Sequence, residues 1–194
     1  SQATIVDFAD AFKKLHRKGY DILTVLISSS LSGTMGSAIQ AKKQFPKARI
    51  ELVDSMHTSL PLAFMALSAA RAAKRGASLE ECKHIVEAIR EKTEVFFAVD
   101  TLEFLHRGGR IGGASRFLGT ALNLKPILYL KDGLVEALEK VRTLKRAHDR
   151  LIKLLENNVQ GVSPINMMGV VSAAADDSAS AVLAKIKEKF TPDE

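Results

Sequence analysis

Residues 22–34 read Ile22-Leu23-Thr24-Val25-Leu26-Ile27-Ser28-Ser29-Ser30-Leu31-Ser32-Gly33-Thr34. The run Ile22 to Ile27 is apolar and β-branched, with the length and composition of a buried strand. A hydroxyl-rich turn with one glycine follows at once, and Met35 to Phe45 then reads as a helix. In an open α/β sheet, ligands bind outside the carboxyl ends of the strands. The free N–H groups of a helix start favour an anion at such a place. Ser28, Ser29, Ser30, Ser32 and Thr34 add donors without adding charge. Capping alone is the competing explanation, but a cap needs one hydroxyl and this turn offers five.

The pattern continues on both sides. Ile5, Phe8, Phe12 and Leu15 recur at three- and four-residue steps, which predicts an amphipathic helix with Thr4 as its cap and Gly19 just past its end. Arg49 to Val53 reads as a second strand, again ending on polar residues, Asp54 and Ser55. An alanine-rich helix is expected from Ser59 to Lys74, with Pro61 in its first turn and Gly76 at its end. Ser78 and Glu81 form a capping box for a helix to about Glu91. Alternating helices and strands imply a parallel, Rossmann-like sheet. Two strands for four helices make a thin sheet, so a further strand ahead of Ser1 is expected.

From Val95 the rhythm changes. Val95 to Val99 reads as a strand, and Asp100 or Thr101 caps a short helix, Leu102 to Arg107, with Glu103 as capping partner. Next comes Gly108-Gly109-Arg110-Ile111-Gly112-Gly113, then a predicted helix from Ala114 to Leu122. Lys125 to Leu130 and Leu134 to Arg142 flank Asp132-Gly133, a strong hairpin signal. Thr143 to Asn157 is helical, with Leu144, Ala147, Leu151, Leu154 and Leu155 on one face. Met167 to Ser172 reads as a strand and Asp176 to Phe190 as a closing helix. The fold class is therefore α/β in two domains. Residues 1–94 form a parallel part and residues 95–194 a mixed or antiparallel sheet with helices.

Bulk properties narrow the functions. A net charge of +6 fits an acidic ligand or partner. The charge is spread along helices, with nine Phe and two Tyr, which argues against nucleic acid as the partner. No apolar run reaches the roughly 20 residues that span a bilayer. Cys82 is the lone cysteine, so no internal disulfide or cysteine metal cluster exists; it is expected in the core, and the cytoplasm is the expected compartment. His16, His57, His84, His106 and His148 show no metal spacing and are expected at the surface. Asp54-Ser55 lacks the partners of a catalytic set and reads as a strand-end turn. Arg110 is the sharpest candidate for chemistry, because an arginine held among glycines can fork onto a carboxylate or phosphate. Equally, Gly108 and Gly109 can end one helix, Gly112 and Gly113 start the next, and Arg110 be solvated.

These residues carry a resemblance. Ser28-Ser29-Ser30-Leu31-Ser32-Gly33-Thr34, Val53-Asp54-Ser55, and Asp100 to Leu105 running into Gly108-Gly109-Arg110-Ile111 are similar to motifs of the DegV family. So are Leu122 to Leu128 and Asp132-Gly133. The opening Ser1-Gln2-Ala3-Thr4 resembles that family's Thr-Ser-Gln-Pro-Ser/Thr segment, with Ala3 for proline. The resemblance implies two α/β domains holding one long-chain fatty acid between them. Its carboxylate would be held by the serine turn and the arginine, here Ser32 and Arg110 with Ser29, Gly33 and Thr34 around them. The acyl chain would lie in an apolar pocket of the second domain. It further implies a non-catalytic binding subunit, without metal or cofactor, that presents the acid to a separate fatty acid kinase. The chain departs from the pattern at Pro61 and Ala63, where the family has glycines. It also lacks the family's initial strand and its closing His-x-Gly-Pro-Gly-like segment. An enzyme acting on a small acidic or phosphorylated substrate at the same turn is the alternative reading.

Overall fold

A computed structural model describes residues 2–119, 124–162, 164–173 and 176–194, without the side chains of 176–178. Two compact units divide the chain. One contains the residues up to Thr93 together with Lys131–Leu134, and the other contains Glu94–Leu130 and Val135–Glu194.

In the first unit the order is α1 (Ile5–His16), β1 (Ile22–Leu26), α2 (Thr34–Lys42), β2 (Ile50–Asp54), α3 (Ser59–Lys74) and α4 (Leu79–Glu91). β1 and β2 pair in parallel, with Ile22 opposite Ile50 and Leu26 opposite Asp54. Because side chains alternate across a strand, each strand serves two cores. Ile22, Ile50 and Leu52 meet Phe12, Phe8 and Ala41 of α1 and α2 on one face. Leu23, Val25 and Val53 meet Met65, Ala69, Cys82 and Val86 of α3 and α4 on the other. Each fully buried anchor such as Phe12 or Met65 contributes about 1.5–3 kcal/mol. The helix starts are as the sequence reads. Thr4 and Asp7 close a capping box on α1, and Ser78 and Glu81 close another on α4. The helix α2 stops at Lys42 rather than Phe45; tight turns bonded from Gln44 to Ala41 and from Phe45 to Lys42 take over.

The second unit contains β3 (Phe96–Ala98), α5 (Glu103–Arg107), a 3-10 helix (Gly112–Phe117), β4 (Lys125–Lys131), β5 (Leu134–Val141), α6 (Leu144–Val159) and α7 (Asp176–Lys189). Its sheet has the order β3-β4-β5, with β3 antiparallel to β4. Asp132 and Gly133 both have positive φ, 50° and 78°, as a two-residue hairpin of this hand demands. The helix α7 packs on α6 through Ile186, Phe190 and Ile152.

Two expectations fail in this unit. The predicted helix from Ala114 is a 3-10 helix that ends at Phe117, closed by Leu118 N–H donating to Ser115 O at 2.9 Å. Its expected end, Leu122, lies outside the described residues, as do Asn123 and Ser1. At the helix end Leu118 turns extended, at φ −64° and ψ 145°, and Gly119 follows at φ +73°, so the helical backbone stops there. Met167 to Ser172 is not a strand. Its neighbourhood bonds instead to the last residues of the chain: Met168 N–H donates to Glu194 O, and Asp193 N–H to Ile165 O, both at 3.0 Å. On α6 the buried positions are Ala147 and Ile152, whereas Leu151, Leu154 and Leu155 are half-buried.

Candidate anion site at the strand ends

Parallel pairing brings the turns after β1 and β2 side by side, since Leu26 and Asp54 are register partners. Ser55 N–H extends the ladder to Leu26 O at 2.9 Å. Asp54 then ties the two turns. One carboxylate oxygen accepts Ser29 N–H at 3.1 Å and the other accepts Met56 N–H at 2.8 Å. The pair Asp54-Ser55 is thus a turn, as the sequence reads, and the Ser55 hydroxyl donates to His57 O at 3.0 Å.

Within the serine turn the hydroxyls divide by role. Ser28 is fully buried. Its hydroxyl donates to Gly133 O at 2.7 Å and accepts Ser30 N–H at 3.2 Å, while its carbonyl accepts the N–H groups of Leu31 and Ser32 at 3.0 Å. Ser28 therefore builds the turn and is not presented to a ligand. Ser32 and Thr34 are half-buried and share a hydroxyl–hydroxyl bond of 2.7 Å. Ser29 and Ser30 are exposed. Gly33 is the N-cap of α2 and has no side chain to cap it; the Ser32 hydroxyl accepts the Thr34 N–H at 3.3 Å. Nothing stands within 4 Å of where a side chain at Gly36 would begin. Beside Gly36 the first turn of α2 has room for an anion, with Ser32 and Thr34 at the helix start.

We expect Ser28→Ala to destabilise the first unit by about 1–3 kcal/mol, because Gly133 O and Ser30 N–H both lose their buried partner. Urea unfolding measures this.

Gln2 was not among the candidates. A Cβ on Gly33 would lie 2.6 Å from Gln2 Oε1, so the Gln2 amide covers the cap of α2. The absence of a side chain at position 33 is the signal that makes room for it.

His57 is a correction. It was expected at the surface and is 6% exposed. Burial pushes its pKa below the ordinary value, aided by the Arg90 charge and opposed in part by a hydrogen bond to the Arg90 backbone. The flanking Met56 and Ser59 adopt positive φ, 54° and 57°. This unusual backbone falls in the segment where the resemblance flagged Pro61 and Ala63. His16, His84 and His106 are exposed and His148 is half-buried.

Arg110 lies in the second unit, exposed, just past α5. The end of that helix is built by local bonds: Gly108 N–H donates to Phe104 O at 3.0 Å and Arg110 N–H to Leu105 O at 2.9 Å. Gly109, at φ +70°, supplies the left-handed residue this closure requires. The Arg110 guanidinium donates back to Gly108 O. The start of α5 uses Thr101, whose hydroxyl accepts Glu103 N–H at 3.1 Å; Glu103 pairs with Arg107 at 2.7 Å instead of completing a box. Gly112 and Gly113 lie against β5, where a Cβ would meet Val135 O at 2.3 Å and Glu136 Oε2 at 2.0 Å. Gly109 and Gly112 therefore each have a local structural role.

Cys82 is buried with its thiol toward Ala69 O. Among the described residues no cluster of His, Cys, Asp and Glu is arranged to hold a metal, and no helix is long and apolar enough to cross a membrane.

Comparison with known proteins adds a family. The family model described as "Uncharacterised protein, DegV family" matches residues 1–194. A DegV domain-containing protein of Clostridium perfringens is 35% identical over 197 aligned residues, covering all of this chain and 69% of that one. A solved structure titled as fatty acid binding of a DegV family protein from Thermus thermophilus superposes with a TM-score of 0.86 at 36% identity, over 99% of this chain and 68% of that chain. A solved structure of DegV from Bacillus subtilis, titled a fatty acid binding protein, gives 0.85 at 31% identity, over 98% and 67%. This chain spans about two thirds of the length of each (69%, 68% and 67%). The family model over the whole chain and the relative at 35% identity show that the chain belongs to the DegV family.

Proposed function

We propose that this chain binds one long-chain fatty acid and acts as a binding subunit, not as an enzyme. Residues 1–94 supply the serine turn for the carboxylate, and residues 95–194 supply Arg110 and the apolar lining for the acyl chain. The observation that carries this reading is the hydroxyl-rich start of α2, where Ser32 and Thr34 share a bond and the exposed Ser29 and Ser30 precede them in the turn. A carboxylate taken out of water needs such donors. In the second unit, Phe96 and Phe97 of β3 are only partly buried, which leaves apolar surface for a chain. Each methylene covered there adds about 0.8 kcal/mol, so the chain dominates affinity and the polar end sets orientation. Relatives whose titles name fatty acid binding, at 36% and 31% identity, support the same ligand. A bound acid with its carboxylate at a turn near the surface is suited to be offered to a separate kinase that phosphorylates it.

Native mass spectrometry of the purified chain after incubation with oleate tests this. The expected result is a one-to-one adduct of the fatty acid mass. No adduct, or an adduct with phosphoesters only, overturns the reading.

A further inference from the structure

His57 is buried, and its Nδ1 is the one buried side-chain polar atom without a hydrogen-bond partner among the described residues. The neutral ring carries one proton, and Nδ1 has no hydrogen-bond partner to take a second one from it. A second proton would create a buried N–H with no acceptor. It would also place a cation near the Arg90 guanidinium, which itself donates to Asp54 O at 3.0 Å. The other charged groups on the elements around the loop are Asp54, whose carboxylate is engaged by two amides, and Lys131 and Asp132 on the hairpin tip, whose Gly133 lies by Ser28 and Met56.

The backbone of the same residue anchors the serine turn. His57 O accepts Ser28 N–H at 2.9 Å and the Ser55 hydroxyl at 3.0 Å, and His57 N–H donates to Ser55 Oγ at 3.1 Å. On either side, Met56 and Ser59 hold left-handed backbone that non-glycine residues avoid. The backbone that anchors the turn thus carries a buried imidazole and lies between two left-handed residues.

We propose that His57 is a positioning residue that makes the serine turn acid-sensitive: protonation at Nδ1 releases residues 55–59, and with them the anchor of Ser28. This rests on the reading of the turn as the carboxylate site. A histidine held neutral binds fewer protons folded than unfolded. Its contribution is full above histidine's ordinary 6.5 and is lost as pH falls below that value. Ligand affinity then falls with pH beyond what the acid's own titration explains.

The test is amide hydrogen exchange at Ser28 and Ser30 from pH 8 to pH 5, corrected for intrinsic rates, in the wild type and in His57→Gln. Glutamine keeps an N–H donor and cannot titrate. The expected result is a progressive loss of protection in the wild type as pH falls below 6.5, up to about tenfold per pH unit, and a flat profile in the variant. Parallel profiles overturn the proposal. If His57→Gln does not fold, an NMR titration of the His57 ring in the wild type decides. Protonation in its ordinary range with Ser28 protection unchanged overturns the latch, and ring protonation coincident with loss of protection upholds it. Oleate titration of the wild type at pH 8 separates the two readings: no binding there removes the carboxylate site, while the exchange data still judge the latch.

Discussion

Gly112→Ala is expected to destabilise the second unit by about 2–5 kcal/mol. Two costs add. At φ +49° a Cβ is strained, which costs about 1–2 kcal/mol. That Cβ would also lie 2.3 Å from Val135 O, and a strand backbone atom cannot step aside without loosening β5. Overpacking of this kind costs about 1–3 kcal/mol, occasionally more. The adjacent position provides the control. At Gly113 the obstacle is the Glu136 carboxylate, the far end of a flexible side chain, so Gly113→Ala should cost no more than about 1 kcal/mol. Chemical unfolding of the two variants, followed by circular dichroism, measures both. Equal losses would show that the contact with β5 is not what demands glycine.

Arg110→Lys is the second large effect, on binding and not on folding. Lysine keeps the charge and loses the planar fork with its paired donors. The backbone closure of α5, made by Gly108 and Gly109, does not use the Arg110 side chain for its N–H bonds, so the fold should be retained. Affinity for an ionised fatty acid should fall about tenfold or more, the scale of one charge-assisted bond. Equal oleate affinity in wild type and variant would leave the turn of residues 28–34 and the start of α2 as the whole anion site.

Much of this was legible before any coordinates. The run from Ile22 ends in hydroxyls, so a strand, a turn and a helix start follow from composition alone. Thr4 as a cap, Ser78 with Glu81 as a capping box and Asp132-Gly133 as a hairpin turn are short-range signals, and each forms as read; the structure adds Asp7 to close a box with Thr4. What was hidden depends on distant partners. Ser28 looked like a ligand donor among equals; its acceptor, Gly133 O, is 105 positions away. His57 reads as a surface residue because it lies beside a helix and shows no metal spacing. Its environment is made by Arg90 of α4 and by the Ser28 backbone. The helix expected from Ala114 stops at Phe117, where Leu118 turns extended and Gly119 takes positive φ. Met167 to Ser172 had the composition of a strand and no strand to pair with; residues 193 and 194 satisfy part of that segment's backbone.

The function proposed above assigns both Ser32 and Arg110 to binding a fatty acid carboxylate. Its most direct test is an isothermal titration with oleate at neutral pH on the wild type and on the double variant Ser32→Ala/Arg110→Ala. The account predicts saturable one-to-one binding by the wild type and a Kd at least about tenfold higher for the double variant. Identical affinities, with both proteins folded, would contradict it.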